Sequence, residues 1–104
     1  MKLYSLLYTN GLCGVFDGLD LIEEIKLKFI NVNFMVVEIE VFSISAKMYI
    51  IPSKETEYPI YMTDSKEVAE AKLKVYEKFG IADCIIISTL NKLNPLVLEV
   101  LSEL

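Results

Sequence analysis

Histidine, arginine, glutamine and tryptophan are absent from the 104 residues. Without His there is no imidazole base, no Ser-His or Cys-His pair and no His metal ligand. Without Arg there is no guanidinium fork to clamp phosphate or read guanine. All ten basic residues are therefore Lys, set against fifteen acidic ones, and the formal charge is −5. Such a balance argues against a nucleic-acid binder, whose affinity comes mainly from neutralising phosphates. It is also weak for a nucleic-acid mimic. No apolar run approaches the roughly 18 residues of a membrane helix. The opening segment turns polar at Thr9-Asn10, so no signal peptide and no membrane partner are expected.

Cysteine is scarce as well. Cys13 and Cys84 lie far apart, with no CxxC and no zinc spacing. Their flanks read as strands, which predicts buried free thiols in a reducing, cytoplasmic compartment. Gly11, Gly14 and Gly18 match neither a GxGxxG between strand and helix nor a P-loop, so they read as turn residues. No cofactor is expected from any of these patterns.

Apolar residues are plentiful, at 54% of the chain. The usual figure is about 45–50%, counting Gly. A chain this short buries only about two-thirds of its unfolded surface. Two explanations compete: an apolar surface kept for a partner or a second copy, or a tightly filled β-rich core. Length makes one domain, residues 1–104, the prior.

The chain opens with residues 3–8, rich in apolar and aromatic side chains, then Thr9-Asn10-Gly11. Asn-Gly is the strongest short hairpin signal, and residues 12–16 make the return strand. Asp17 is the expected cap of a helix with Leu21, Ile22, Ile25 and Phe29 on one stripe. Residues 34–42 alternate Glu38 and Glu40 with apolar neighbours, as a half-buried strand does. Residues 46–51 and 58–62 read as a second strand pair, Pro59 marking a start or an edge. Asp64 or Thr63 is the expected cap of the next helix, with Glu67 closing a capping box. Val68, Ala71, Val75 and Phe79 share a face of that helix, and Gly80 ends it. Glu24 with Lys28, and Glu70 with Lys74, have the i,i+4 spacing of helix ion pairs. Residues 83–88 are apolar on both faces and read as a central strand. Asn94-Pro95 predicts a cap and first turn for a C-terminal helix over residues 95–104; a strand over 96–101 is the weaker reading.

The order strand, strand, helix, strand thus occurs twice, over residues 2–42 and 47–89. Lys2-Leu3-Tyr4 parallels Lys47-Met48-Tyr49, and Val15-Phe16-Asp17 parallels Tyr61-Met62-Thr63. Glu24-Ile25-Lys26-Leu27-Lys28 parallels Glu70-Ala71-Lys72-Leu73-Lys74. The fold class expected is α+β: two ββαβ repeats forming a mainly antiparallel sheet of about six strands. The helices would cover one face, and the other face would be left for docking.

Few residues could carry chemistry. Glu38 and Glu40 fall on the same face of a strand, about 7 Å apart. Paired carboxylates can bind a metal or act as acid and base; the competing reading is a solvated sheet face. Of the six Tyr and five Phe, many fall on strands or strand ends. Tyr is favoured in protein interfaces, where the ring buries and the hydroxyl still bonds; plain core packing is the alternative. The interface candidates are Tyr4, Tyr8, Phe34, Glu38, Glu40, Phe42, Tyr49, Tyr58 and Tyr61. No catalytic or metal residue is assigned.

Lys2-Leu3-Tyr4, Gly14-Val15-Phe16-Asp17 and the capped helix after them resemble the opening of small uncharacterised ββα-type proteins of phages and large DNA viruses. Thr63-Asp64-Ser65-Lys66-Glu67 is a second, weaker copy. The resemblance covers about a quarter of the chain and brings no activity with it. It implies a virus-encoded accessory protein, an inhibitor of a host factor or a virion component, acting in the host cytoplasm. The function expected is non-enzymatic: binding a protein partner or self-assembling as a homo-oligomer. The alternative is a small-molecule-binding domain or minimal enzyme using Glu38 and Glu40, or Cys13.

Overall fold

In the computed structural model, which describes residues 1–103, seven strands form two antiparallel sheets, accompanied by three helices. The chain is α+β. Strands β1 (Lys2–Tyr8) and β2 (Gly11–Phe16) form the opening hairpin around Thr9-Asn10. Gly11 has φ 123°, a conformation L side chains rarely adopt. Helix α1 (Asp20–Lys28) follows, and then β3 (Met35–Glu40). Next come β4 (Lys47–Pro52), β5 (Pro59–Thr63) and α2 (Lys66–Lys78). The chain finishes with β6 (Ile86–Thr89), β7 (Lys92–Leu93) and α3 (Pro95–Ser102). The predicted C-terminal helix is present; its expected last residue, 104, lies outside the described residues.

The expected single sheet of about six strands is corrected to two sheets, ordered β3-β1-β2-β7 and β5-β4-β6. In each, the first strand is central, flanked by its hairpin partner and by the strand that follows the helix. The connection through residues 41–46 lifts the chain into a second layer instead of extending the first. Apolar side chains on both faces of β1 and β4 make this possible. Leu3 and Val15 of the first sheet meet Met48, Ile50 and Met62 of the second in one buried cluster, with Val41 at its margin.

The opposite face of the first sheet carries Leu6, Cys13 and Phe16, which pack with Ile22 of α1 and Val97 of α3. On the second sheet, α2 lies against β4 and β5. It buries Ala69, and Lys72 reaches over the Tyr61 ring at 5.1 Å. Helices therefore cover the two outer faces, not one face of one sheet. Each fully buried aliphatic or aromatic side chain stabilises this arrangement by about 1.5–3 kcal/mol.

The helix ends show which signals were read correctly. Asn94 accepts from Leu96 N–H at 3.0 Å, and Pro95 follows at the first turn, as expected. Gly80, with φ 68°, ends α2: its N–H bonds Glu77 O at 3.1 Å and Ile81 N–H bonds Tyr76 O at 3.0 Å. This double bond pattern satisfies the last carbonyls of the helix. The cap of α2 is Ser65, not Thr63 or Asp64; its hydroxyl accepts from Val68 N–H at 3.3 Å. Asp64 instead accepts from Ser43 Oγ at 2.7 Å, tying the crossing loop to the second sheet. Asp17 does not cap α1; its N–H donates to Asn91 Oδ1 at 3.0 Å. The helix pairs also shift: Lys26–Glu23 at 3.6 Å and Lys66–Glu70 at 4.0 Å replace the expected two.

A bulge shapes β2. Leu6 pairs with Gly14 but Leu7 pairs with Leu12, which leaves Cys13 as the extra residue. Leu12 thus packs between the sheets while Cys13 packs under the helices. Gly14 is needed at the next position. A Cβ there would lie 2.7 Å from Lys92 O and 3.1 Å from the Phe16 ring.

Candidate functional site: the β3 edge

The nine interface candidates do not share one surface. Tyr4, Tyr8 and Phe34 are half-buried and pack around Leu6, Phe16 and Ile22 beneath the helices. Tyr49 and Tyr61 are half-buried on the outer side of the second sheet, on the α2 side. Tyr58 is exposed just before β5. Glu38, Glu40 and Phe42 remain, on β3 and just beyond it.

Strand β3 is the edge of its sheet; β1 is its one partner among the described residues. The phase of that pairing follows from its end. Val41 N–H donates to Met1 O at 2.8 Å, and the Met1 amino group donates to Val41 O at 3.1 Å. Register is unbroken from Lys2↔Glu40 to Leu7↔Met35. Antiparallel ladders alternate, so Ile39, Val37 and Met35 turn their N–H and C=O toward β1. Val36, Glu38 and Glu40 turn theirs outward, with no strand among the described residues to receive them.

Other edges are blunted. Strand β5 begins at Pro59 and has a register shift beside it. Strand β6 has four residues and β7 two. Proline, bulges and short length are the usual devices against edge pairing, as is an edge Lys. Strand β3 has no Pro, bulge or Lys over its six residues; its charged side chains are Glu38 and Glu40.

The charges of this edge are matched within the chain. Lys2 Nζ lies 3.4 Å from Glu38 Oε2, and the Met1 amino group lies 3.3 Å from Glu40 Oε2. These pairs are exposed and contribute little to stability. The two carboxylates therefore each face a separate cation on an open surface. Beyond the strand end, Phe42 is 99% exposed. It borders an open depression of ≈ 360 Å³ together with Met1, Glu40, Val41, Tyr61 and Met62. Met35, at the other end of β3, is also exposed.

The two thiols differ in exposure. Cys13 is wholly buried, and burial pushes its pKa up to about 12. Cys84 is exposed in the segment before β6, contrary to the expected buried strand position. Partial burial raises its pKa, followed by the charge and hydrogen bond of Asp83. A raised pKa leaves both thiols protonated and weakly nucleophilic at neutral pH. The two are free and unbridged. Among the described residues no three acidic or thiol groups converge as metal ligands would. Nor is any helix among them long and apolar enough to cross a membrane.

Sequence reasoning named Glu38, Glu40 and Phe42 but missed the backbone between them. The signal was present: a six-residue alternating strand without Pro, Gly or Lys. What was missing was its place at the sheet margin. No protein-family model, no curated protein and no solved structure matches this chain.

Proposed function

We propose that this chain is a non-enzymatic protein-binding protein that assembles with a protein partner or with itself. The observation that carries this reading is the open β3 edge, with fully exposed Phe42 at its end. An unpaired strand edge flanked by apolar side chains is a ready template for another polypeptide. The function would be exerted by occluding or bridging that polypeptide, as an accessory protein of viral type would do in a host cytoplasm. The negative net charge and the lack of Arg favour protein over nucleic acid as the partner.

Duplication of a ββαβ unit belongs to the same proposal. The matched strand orders and the paired strings Lys2-Leu3-Tyr4 and Lys47-Met48-Tyr49 support it. In a duplicated fold the helix-flanked outer layers would be equivalent, and β3 and β6 would be counterpart edges.

The test compares wild type with Phe42→Asp, in solution and as bait. A species heavier than 11.8 kDa, or a defined complex, that is lost in Phe42→Asp supports the reading. A wild-type chain that stays monomeric at high concentration, with the two baits retaining the same proteins, overturns it.

A further inference from the structure

We infer that the occupant of the β3 edge is β3 of a second copy, paired antiparallel about a two-fold axis with Val37 opposite the partner's Val37. This rests on the binding function proposed above and names its partner. The first argument is backbone chemistry. Val36, Glu38 and Glu40 direct N–H and C=O groups outward along one line at strand spacing, and an extended strand is the one polypeptide conformation that receives all of them together.

The second argument is charge. The edge carries Lys2, the amino terminus, Glu38 and Glu40, and each is matched within its own chain. A like copy therefore meets a locally neutral edge despite the net charge of −5. Two-fold pairing is also the commonest symmetry of soluble oligomers.

The third argument is register. Outward-facing residues must oppose outward-facing residues, so only alternate registers form bonds. Centring on Glu38 would place it directly against its own copy, which is destabilising for like charges. Centring on Ile39 would place Glu38 against Glu40. Centring on Val36 avoids both but pairs a shorter stretch of β3. Centring on Val37 sets Val36 against Glu38 in both directions, and Met35 against Ile39. It is the longest register in which no two carboxylates are directly opposed. The two four-stranded sheets would then join into one continuous sheet. Each hydrogen-bonded pair would exchange two backbone bonds.

The experiment uses the full chain, measured by light scattering and by amide hydrogen exchange. Wild type is expected at twice 11.8 kDa, with the Val36 and Glu38 amides exchanging at least tenfold more slowly at concentrations where the dimer forms than after dilution to monomer. Val36→Pro removes an outward N–H and spares the bonds to β1, so it is expected to halve the mass. Glu38→Lys is the second variant, which keeps the β3 backbone intact. It converts the neutral edge to +2 (Lys2, the amino terminus and the new Lys against Glu40) and is expected to halve the mass as well. A wild-type dimer that persists in folded Val36→Pro or in Glu38→Lys overturns the β3 assignment and leaves the binding function standing on another face. A wild-type monomer overturns the self-pairing, while Phe42-dependent capture of a different protein would still support the binding function. A monomer with no Phe42-dependent capture removes both.

Discussion

Replacing Gly14 by Ala adds one methyl group at the point where three elements meet. The β2 bulge turns both Cys13 and residue 14 toward the helices. A Cβ at 14 would lie 2.7 Å from the Lys92 carbonyl oxygen, and 3.1 and 3.3 Å from two Phe16 ring carbons. The ring is wholly enclosed and the carbonyl is backbone, so neither yields without moving its neighbours. Overpacking of this kind costs about 1–3 kcal/mol. Pushing back Lys92 also weakens the short β2–β7 pairing through Gly14↔Leu93 and Val15↔Lys92, at about 1 kcal/mol per bond lost. The expected loss is therefore about 2–4 kcal/mol, out of the ~5–15 typical of a domain. Urea unfolding followed by far-ultraviolet circular dichroism measures it, since the chain has no Trp to report by fluorescence. Gly18→Ala is the matched control. Nothing lies within 4 Å of its added Cβ, and its φ is not positive. It should be neutral or gain about 0.4–1 kcal/mol by restricting the unfolded chain. A Gly14→Ala protein within about 0.5 kcal/mol of wild type would refute the assignment of bulge and contact.

Ser5 is wholly buried between the sheets, opposite Val15 and Val37, and its hydroxyl has no hydrogen-bond partner among the described residues. Ser5→Ala removes an unsatisfied polar atom, so urea unfolding should show a gain of about 1 kcal/mol; a loss above about 1 kcal/mol would mean the hydroxyl is bonded. Under native conditions a thiol reagent should modify Cys84 and spare Cys13, which becomes reactive only in denaturant; two equally fast thiols would contradict the packing. The same Cys13 sets an alkaline limit. Its folded pKa of about 12 stands above the ordinary 9.0, so the folded state holds the proton longer. Stability is unaffected by this group below pH 9 and falls as pH rises toward 12. Cys13→Ala should flatten that part of a Tm-against-pH curve.

Local signals were legible where one residue type decides the geometry. The hairpin falls at Thr9-Asn10-Gly11, with Thr9-Asn10 as its turn and Gly11 at φ 123° opening β2; Gly80 ended α2, and Asn94-Pro95 opened α3. Signals that depend on neighbours were not. The stripe Val68, Ala71, Val75 and Phe79 looked like the buried face of α2, yet all four are exposed, and Ala69, Leu73 and Tyr76 turn inward. Two apolar stripes run along this helix, and periodicity alone cannot say which one meets the sheet. Ile85-Ile86-Ile87 read as a central strand, but β6 is an edge and Ile87 is 55% exposed, since α2 packs mainly on β4 and β5. Strand β7 was missed because two residues carry no period. The split into two sheets was hidden for a deeper reason: β1 has apolar side chains in both phases, and that pattern is the same under a helix or under a second sheet.

The apolar excess then has two sources, which composition could not separate. Each sheet packs one face on the other sheet and has helix over its outer face at least at the central strands, so β1, β2 and β4 need apolar residues in both phases. Here the excess is consumed by the core, as Leu3, Leu6, Val15, Phe16, Met48, Ile50 and Ile51 show. The outer layers behave differently. A helix that is apolar all round belongs in a buried place, yet α3 leaves Leu96, Leu98 and Val100 exposed over Leu101, which it buries. Exposed helix backs are non-directional and accept any apolar cover. The β3 edge is directional: its groups lie along one line at strand spacing, and among polypeptide partners they fit a strand. Of the two kinds of open surface, only the edge specifies the geometry of what completes it, which is why the proposed pairing is assigned there and not to the more apolar helices.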